Sequence, residues 1–261
     1  MYLSFASFVR FALLLCCGMT AHIDVAAQDY EREKRWADEI IPSLVVGDAV
    51  RITASSGREF LGLYTEPSNA SKPNAALPAI VLVHGVGVHP DFGVIGALRS
   101  RLADLGYATL AIQMPVQDKD AKVDDYYPKV FPDAADRMVK AAEWLSAKQH
   151  ASVVLLSHSM GAWMANEYLD RAHAVTPYKA WIVMGLTGSY SWTMRRFSMP
   201  VLDVYGENDL PPVISAVARR KFALKENNGS RQVKVSGADH HYAGHENQLA
   251  EAIDGFLRSL K

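Results

Sequence analysis

Cysteine is almost absent from this chain of 261 residues, which has only Cys16 and Cys17, side by side near the amino terminus. Such a distribution excludes a disulfide framework and a zinc site built from spaced cysteine pairs. An excess of charge of one sign is absent too, since 27 basic residues stand against 28 acidic ones and no block of like charges occurs. Nothing in this balance favours nucleic acid or an anionic membrane surface as a partner.

The sequence also lacks a long apolar run. The apolar stretch at 11–19 follows the single cation Arg10 and falls short of the roughly 20 residues that a membrane-spanning helix needs. Val25-Ala26-Ala27 then supplies the small residues that precede a signal-peptidase cut. We therefore predict a signal peptide at 1–27, whose removal would also remove both cysteines, and an exported protein that is periplasmic or secreted. The alternative is an uncleaved anchor, because the residues before Arg10 are themselves apolar.

Two further segments follow the leader. Residues 28–45 predict a short helical segment, in which Trp36, Ile40 and Ile41 recur at near-helical spacing and the dense charges are expected to face solvent. Residues 46–261 form the predicted main domain, which is long enough to bury a core without disulfides.

From residue 79 onward, apolar runs typical of buried strands alternate with amphipathic helical patterns, the longest of which include residues 132–149 and 213–227. Before them, two alternating segments flank Ser55-Ser56-Gly57 and predict a hairpin. The pattern predicts an α/β fold with a doubly wound, mostly parallel sheet and an antiparallel hairpin at one edge. The connection between the sixth and seventh strands is too short for a separate lid domain.

A candidate nucleophile follows the fifth strand, at the sheet edge where open α/β sheets bind their ligands. That strand runs into Ser157-His158-Ser159-Met160-Gly161 and then into a helix. The context is that of a nucleophile elbow, G-x-S-x-G, with Ser157 in place of the first glycine. Ser159 is the candidate nucleophile, and a serine that only caps the helix is the alternative.

A candidate oxyanion site follows the third strand. Gly85 and Gly87 permit backbone conformations in which N–H groups converge on one point, and such groups stabilise the oxyanion of acyl transfer. We assign this role to the N–H groups of Val86 and Met160. A phosphate-binding loop is disfavoured because the segment lacks a lysine and the G-x-G-x-x-G spacing.

The seventh and eighth strands supply a candidate acid and a candidate base. Asp209 follows the seventh strand in a glycine-bearing turn, with Asp203 and Glu207 as its rivals. His240 follows the eighth strand, with His241 as the alternative general base.

A metal site is the competing interpretation of these histidines, because His241 and His245 stand four residues apart. The sequence shows no third ligand at a reliable spacing. We therefore expect no metal and no cofactor.

The order Ser159, Asp209, His240 on successive late strands is the order of an α/β-hydrolase triad. The region 46–261 resembles the α/β-hydrolase superfamily through LVHGVGVHPD, SHSMG, YGEND and GADHHYAGH, and the last of these is similar to dienelactone-hydrolase-like and small esterase members. The leader with EREKRWADEI and VVGDAV resembles an uncharacterised group of exported bacterial α/β-hydrolases. The resemblance implies that Ser159, Asp209 and His240 hold the triad positions.

These observations predict a serine hydrolase that cleaves a small-molecule carboxylic ester, or a related acyl substrate, through an acyl-enzyme. The alternative is a non-catalytic binding or scaffold protein on the same fold, because a fold does not dictate a function. The mature protein is expected to have no stable membrane span and no nucleic-acid partner.

Overall fold

The structure has a single mixed sheet with helices on both faces. It is a computed structural model, and it describes residues 28–68, 77–126, 129–172, 175–190, 199–225 and 227–260. Its strands in the described residues are β1 (Asp48–Thr53), β2 (Glu59–Thr65), β3 (Ala79–Val83), β4 (Thr109–Ile112), β5 (Val153–His158), β6 (Tyr178–Met184), β7 (Val201–Gly206) and β8 (Arg231–Val235). The longer helices are α1 (Tyr30–Ser43), α2 (Gly93–Asp104), α4 (Phe131–Ala147), α5 (Met160–Ala172), α7 (Val217–Leu224) and α8 (Glu246–Arg258). Single turns form α3 (Val123–Tyr126) and α6 (Pro211–Ile214).

The strand order is β1-β2-β4-β3-β5-β6-β7-β8. The pairs β1–β2 and β2–β4 are antiparallel, and every other neighbouring pair is parallel. The predicted doubly wound sheet with an antiparallel hairpin edge is therefore confirmed. Because β3 to β8 are parallel, the loops that follow β3, β5, β7 and β8 all lie at one edge of the sheet.

Two apolar clusters, one on each face of the sheet, hold the helices in place. The strands β3, β4 and β5 are buried along their whole length, as expected of strands covered on both faces. Helices α4 and α5 pack on one face, whereas α1, α2 and α8 pack on the other.

Helix α1 buries a charged residue that the sequence pattern does not predict to be buried. Glu33 is buried, and its Oε2 lies 2.9 Å from Nη2 of Arg137 on α4. Ile41 is 38% exposed, although its spacing predicts a packed position. The expectation that the charges of α1 face solvent is wrong at Glu33, because a buried cation more than a hundred positions later in the chain compensates its charge.

The helical pattern predicted for 213–227 is divided into α6 and α7. The carbonyl of Val213 accepts hydrogen bonds from the Ala216 N–H at 3.3 Å and from Nη1 of Arg220 at 3.2 Å. Because these donors occupy the carbonyl that a continuous helix needs, the first turn ends before α7 begins.

The predicted signal peptide at 1–27 lies outside the described residues. Within the ranges that the structure describes, none of the helices has the length and apolar character required to span a bilayer.

Candidate active site

Ser159 occupies a sharp turn between β5 and α5. Its φ is +56°, a left-handed conformation that is unfavourable for any residue with a side chain. The turn is fixed by a 3.0 Å hydrogen bond from the Ser159 N–H to the Met184 carbonyl. Gly161 passes so close to the His84 carbonyl that a Cβ would clash with it. The segment therefore has the strained strand-turn-helix geometry of a nucleophile elbow.

Ser157, which stands where the elbow motif usually has glycine, is fully buried. Its Oγ accepts a 2.8 Å hydrogen bond from Nε1 of Trp181, which belongs to the neighbouring strand β6. The serine thus provides an acceptor for the N–H of a fully buried indole. The substitution is compatible with the elbow because it adds a hydroxyl that has a partner.

His240 lies between Ser159 and Asp209. Its Nε2 is 2.9 Å from the Ser159 Oγ, and its Nδ1 is 2.6 Å from Oδ1 of Asp209. Oδ1 of Asp209 accepts a hydrogen bond from Nδ1–H, which leaves Nε2 unprotonated and able to accept a hydrogen bond from the Ser159 hydroxyl. The structure brings these three sequence-predicted residues into one hydrogen-bonded chain.

Asp209 is stabilised as a carboxylate. Burial raises the pKa of Asp209, but the hydrogen bond from His240 and those from the Gly206 and Leu210 N–H groups outweigh it and lower the pKa. An ionised Asp209 can hold the imidazole in one tautomer and stabilise its protonated form.

The rival acids are engaged elsewhere. Asp203 is fully buried, and its Oδ2 accepts hydrogen bonds from Nε of Arg220 at 2.9 Å and from Nε2 of Gln232 at 2.8 Å. Glu207 is exposed and pairs with Lys234. Neither of these carboxylates contacts His240.

The other two histidines of the sequence cluster do not join this chain. His241 is exposed, and its backbone N–H donates to Oδ1 of Asp239 at 2.8 Å. His245 forms the N-cap of α8. Within the described ranges, no three histidine, cysteine or acidic residues converge as a metal site would require.

The loop after β3 lies beside Ser159. A Cβ on Gly85 would be 3.2 Å from the Cβ of Ser159. Val86 follows Gly85 directly and Met160 follows Ser159 directly, so both predicted oxyanion donors belong to segments that meet at this point.

His84 fixes the peptide that carries the Val86 N–H. Its Nδ1 donates to the Gly85 carbonyl at 2.9 Å, and its Nε2 accepts the Met114 N–H at 2.9 Å. Burial lowers the pKa of His84 to about 3, so the ring is neutral and these two hydrogen bonds define its tautomer. Because the Gly85 carbonyl and the Val86 N–H share one planar peptide, holding the first orients the second.

A sequence model of the Alpha/beta hydrolase family matches residues 80–253. The chain belongs to this family. Membership supports hydrolase activity in general. A second sequence model, described as a protein of unknown function (DUF3530), matches residues 9–131 of this α/β-hydrolase. A search of curated proteins gave no match.

Solved structures similar to this α/β-hydrolase share its fold. Est1E from Butyrivibrio proteoclasticus is 16% identical with a TM-score of 0.60, and the match covers 81% of this chain and 98% of that one. XC6422 from Xanthomonas campestris, described as an α/β serine hydrolase without a lid, is 17% identical with a TM-score of 0.58, and the match covers 83% and 95%. The esterase Pf2001 of Pyrococcus furiosus is 14% identical with a TM-score of 0.58, and the match covers 81% and 92%. The comparison with the lidless structure agrees with the short connection between β6 and β7.

Sequence reasoning missed two residues that shape this hydrolase site. Gly185, directly after β6, has a φ of +61°, and a Cβ there would be 2.8 Å from Cε1 of His240. The Nε2 of His158 donates to the His240 carbonyl at 2.8 Å, and burial lowers the pKa of His158 to about 4, which keeps it neutral. Both residues stand at strand ends, on the carboxyl edge of the sheet where the site forms, and this position is the sequence signal by which they could have been found.

Proposed function

We propose that this α/β-hydrolase is a serine hydrolase that cleaves a carboxylic ester, or a related acyl substrate, of modest size. The observation that carries the proposal is the hydrogen-bonded chain from Asp209 through His240 to Ser159, with distances of 2.6 and 2.9 Å. Such a chain is the arrangement by which a weak hydroxyl nucleophile is activated. Similar folds that carry the name esterase, from Pyrococcus furiosus and from an Arctic metagenomic library, support the ester class.

Acylation begins when the Ser159 Oγ attacks the ester carbonyl carbon and Nε2 of His240 takes its proton. The carbonyl oxygen becomes an oxyanion that accepts hydrogen bonds from the Val86 and Met160 N–H groups. Asp209 stabilises the imidazolium that forms. His240 then returns the proton to the leaving alkoxide, and the alcohol departs from an acyl-serine.

Deacylation repeats these steps with water as the nucleophile. His240 takes a proton from the water as the water oxygen attacks the acyl carbon, and then gives the proton to the Ser159 Oγ as the acyl–oxygen bond breaks. The products are a carboxylic acid and the free enzyme. Both half-reactions use only these side chains, the main-chain N–H donors and one water molecule.

Two exposed aliphatic residues that adjoin the site along the chain favour an apolar substrate. Val86, beside the oxyanion position, is 36% exposed, and Leu210, next to Asp209, is 44% exposed. Exposed aliphatic side chains at the mouth of a site contribute binding energy to apolar acyl or alcohol groups. The signal peptide predicted at 1–27 supports the further proposal that the protein acts outside the cytoplasm, in the periplasm or the medium.

The test is hydrolysis of p-nitrophenyl acetate, butyrate and octanoate by the purified chain from residue 28. We expect Ser159→Ala to abolish turnover, and the matched variant Ser157→Ala, two residues away, to retain it. A well-folded wild type that hydrolyses none of these esters would instead favour a non-catalytic binding protein on this fold.

A further inference from the structure

Helix α1 crosses the edge of the sheet at which the triad lies. The guanidinium of Arg32 donates from Nη1 to the Gln117 carbonyl at 3.0 Å and from Nη2 to the Gly87 carbonyl at 3.2 Å. Gln117 belongs to the segment after β4, and Gly87 belongs to the loop after β3. One side chain of α1 therefore ties together the two loops that leave these neighbouring strands.

Buried contacts hold α1 in this position. Besides its ion pair with Arg137, Glu33 accepts the Val116 N–H through Oε1 at 3.3 Å. The Asp29 N–H donates to the Val116 carbonyl at 2.7 Å. Because these bonds flank Arg32 on both sides, the guanidinium is presented from a fixed backbone.

Arg32 forms no ion pair with a carboxylate among the described residues. Its guanidinium instead lies 4.6 Å from the ring centre of Trp36, and that ring is 5.7 Å from the ring of His89 at the end of the β3 loop. Its two hydrogen bonds go to main-chain carbonyls. The arrangement fixes the backbone of a loop, and the guanidinium acts through directed hydrogen bonds and ring stacking rather than through an ion pair.

The loop that Arg32 holds contains the proposed oxyanion donor. Val86 lies between Gly85, whose carbonyl is bound by His84, and Gly87, whose carbonyl is bound by Arg32. Gly87 has a φ of +66° and so contributes no side-chain packing and little intrinsic stiffness to the loop. Side-chain hydrogen bonds therefore hold the peptide before Val86, through the Gly85 carbonyl, and the peptide between Gly87 and Val88, through the Gly87 carbonyl.

We propose that Arg32 is a positioning residue for the oxyanion loop, residues 84–89, and that α1 is thereby a working part of the site. This inference rests on the proposed function, because it concerns the binding of an oxyanion by the Val86 N–H. Arg32 acts through the loop and does not touch the substrate. Its loss weakens binding of the transition state more than binding of the substrate.

The experiment compares Arg32→Gln and Arg32→Lys with Arg35→Gln, a control on the exposed side of the same helix. The assays are kcat and KM for the best p-nitrophenyl ester, and the inhibition constant of an alkyl trifluoromethyl ketone, whose adduct with a serine carries an oxyanion. For Arg32→Gln we expect kcat to fall about tenfold with KM changed by less than about twofold, since a displaced oxyanion donor is still partly effective. Arg32→Lys keeps the charge but has one donor nitrogen in place of the two that bind Gln117 and Gly87, so its kinetics should lie between those of wild type and Arg32→Gln.

The inhibition constant separates positioning from a loss of folded protein. We expect it to rise in the same proportion as kcat/KM falls across the two Arg32 variants, whereas unfolding would lower the amount of active enzyme without changing this constant. An unchanged inhibition constant, or Arg32→Gln kinetics equal to those of Arg35→Gln, would overturn the inference while leaving the proposed function intact. A wild type that neither hydrolyses the ester nor binds the ketone would refute the proposed function, and this inference with it.

Discussion

Gly185 provides a sharp test of the geometry around His240. In the variant Gly185→Ala the new Cβ would lie 2.8 Å from Cε1 and 3.0 Å from Nδ1 of His240. The ring cannot yield freely, because Asp209 and Ser159 bind its two nitrogens. We expect the imidazole to move by several tenths of an ångström, which lowers kcat by about 10–100-fold, since small misplacements of reacting groups have effects of that size.

The same variant also strains the backbone, and a control separates this effect. Gly185 has a φ of +61°, and a non-glycine residue in the left-handed region costs about 1–2 kcal/mol. Gly57, in the β1–β2 turn, has a φ of +82° with no atom within 4 Å of the Cβ position, so Gly57→Ala introduces backbone strain alone. Both variants should lower the melting temperature by about 2–8 °C, at about 2–4 °C per kcal/mol for a domain of this size.

The assay is ester hydrolysis together with thermal unfolding followed by circular dichroism. Only Gly185→Ala should lose activity. If it retains wild-type kcat while its melting temperature falls as in Gly57→Ala, the reasoning about the position of His240 is wrong.

Three further predictions concern Asp209, the hydrogen bond of Ser157 and the two buried histidines near the site. Asp209→Asn should lower kcat by about 10³–10⁴-fold with the fold intact, because an amide no longer fixes the required imidazole tautomer, and a loss below tenfold in steady-state kinetics would contradict this. Ser157→Gly should retain activity but lower the free energy of unfolding by about 1–3 kcal/mol in urea titrations, because Nε1 of Trp181 loses its hydrogen bond to the Ser157 Oγ. A variant as stable as wild type would count against that hydrogen bond. Stability should also depend on pH. Burial lowers the pKa of His84 to about 3 and that of His158 to about 4, below the ordinary 6.5. As the pH falls, the unfolded chain therefore takes up a proton at each of these histidines before the folded protein does. The contribution of these neutral histidines to the free energy of unfolding should be complete above about pH 6.5. It should fall as the pH drops towards 4, by about 2 kcal/mol per histidine at pH 5. Urea titrations that give equal free energies of unfolding at pH 7.5 and pH 5 would refute this.

The parts of the fold that depend on local pattern could be predicted from the sequence. The alternation of apolar strands with amphipathic helices specified a mostly parallel sheet, and the ends of its strands marked where chemistry concentrates. Ser159, Asp209 and His240 stand at such ends, and the structure brings them within hydrogen-bond distance of one another. Their place after parallel strands made them the preferred candidates, because parallel strands bring their carboxyl ends to one edge, but Asp203, Glu207 and His241 remained as rivals until distances could be compared.

The parts that depend on a distant partner could not be predicted. The burial of Glu33 requires Arg137, which lies far along the chain on a helix packed against the sheet. No local pattern in α1 indicates this partner. The break before α7 requires Arg220 to reach back to the Val213 carbonyl. The partner of Ser157 is likewise set by the register of β5 against β6, which a single strand pattern does not encode.

The central claim is that Ser159 is the nucleophile, and the most direct measurement is peptide mass mapping after treatment with a fluorophosphonate. The claim predicts one phosphonyl adduct, on Ser159 within the peptide that joins β5 to α5, whose formation slows strongly in His240→Ala. No adduct on the folded protein, or an adduct on Ser157 that persists in Ser159→Ala, would contradict it.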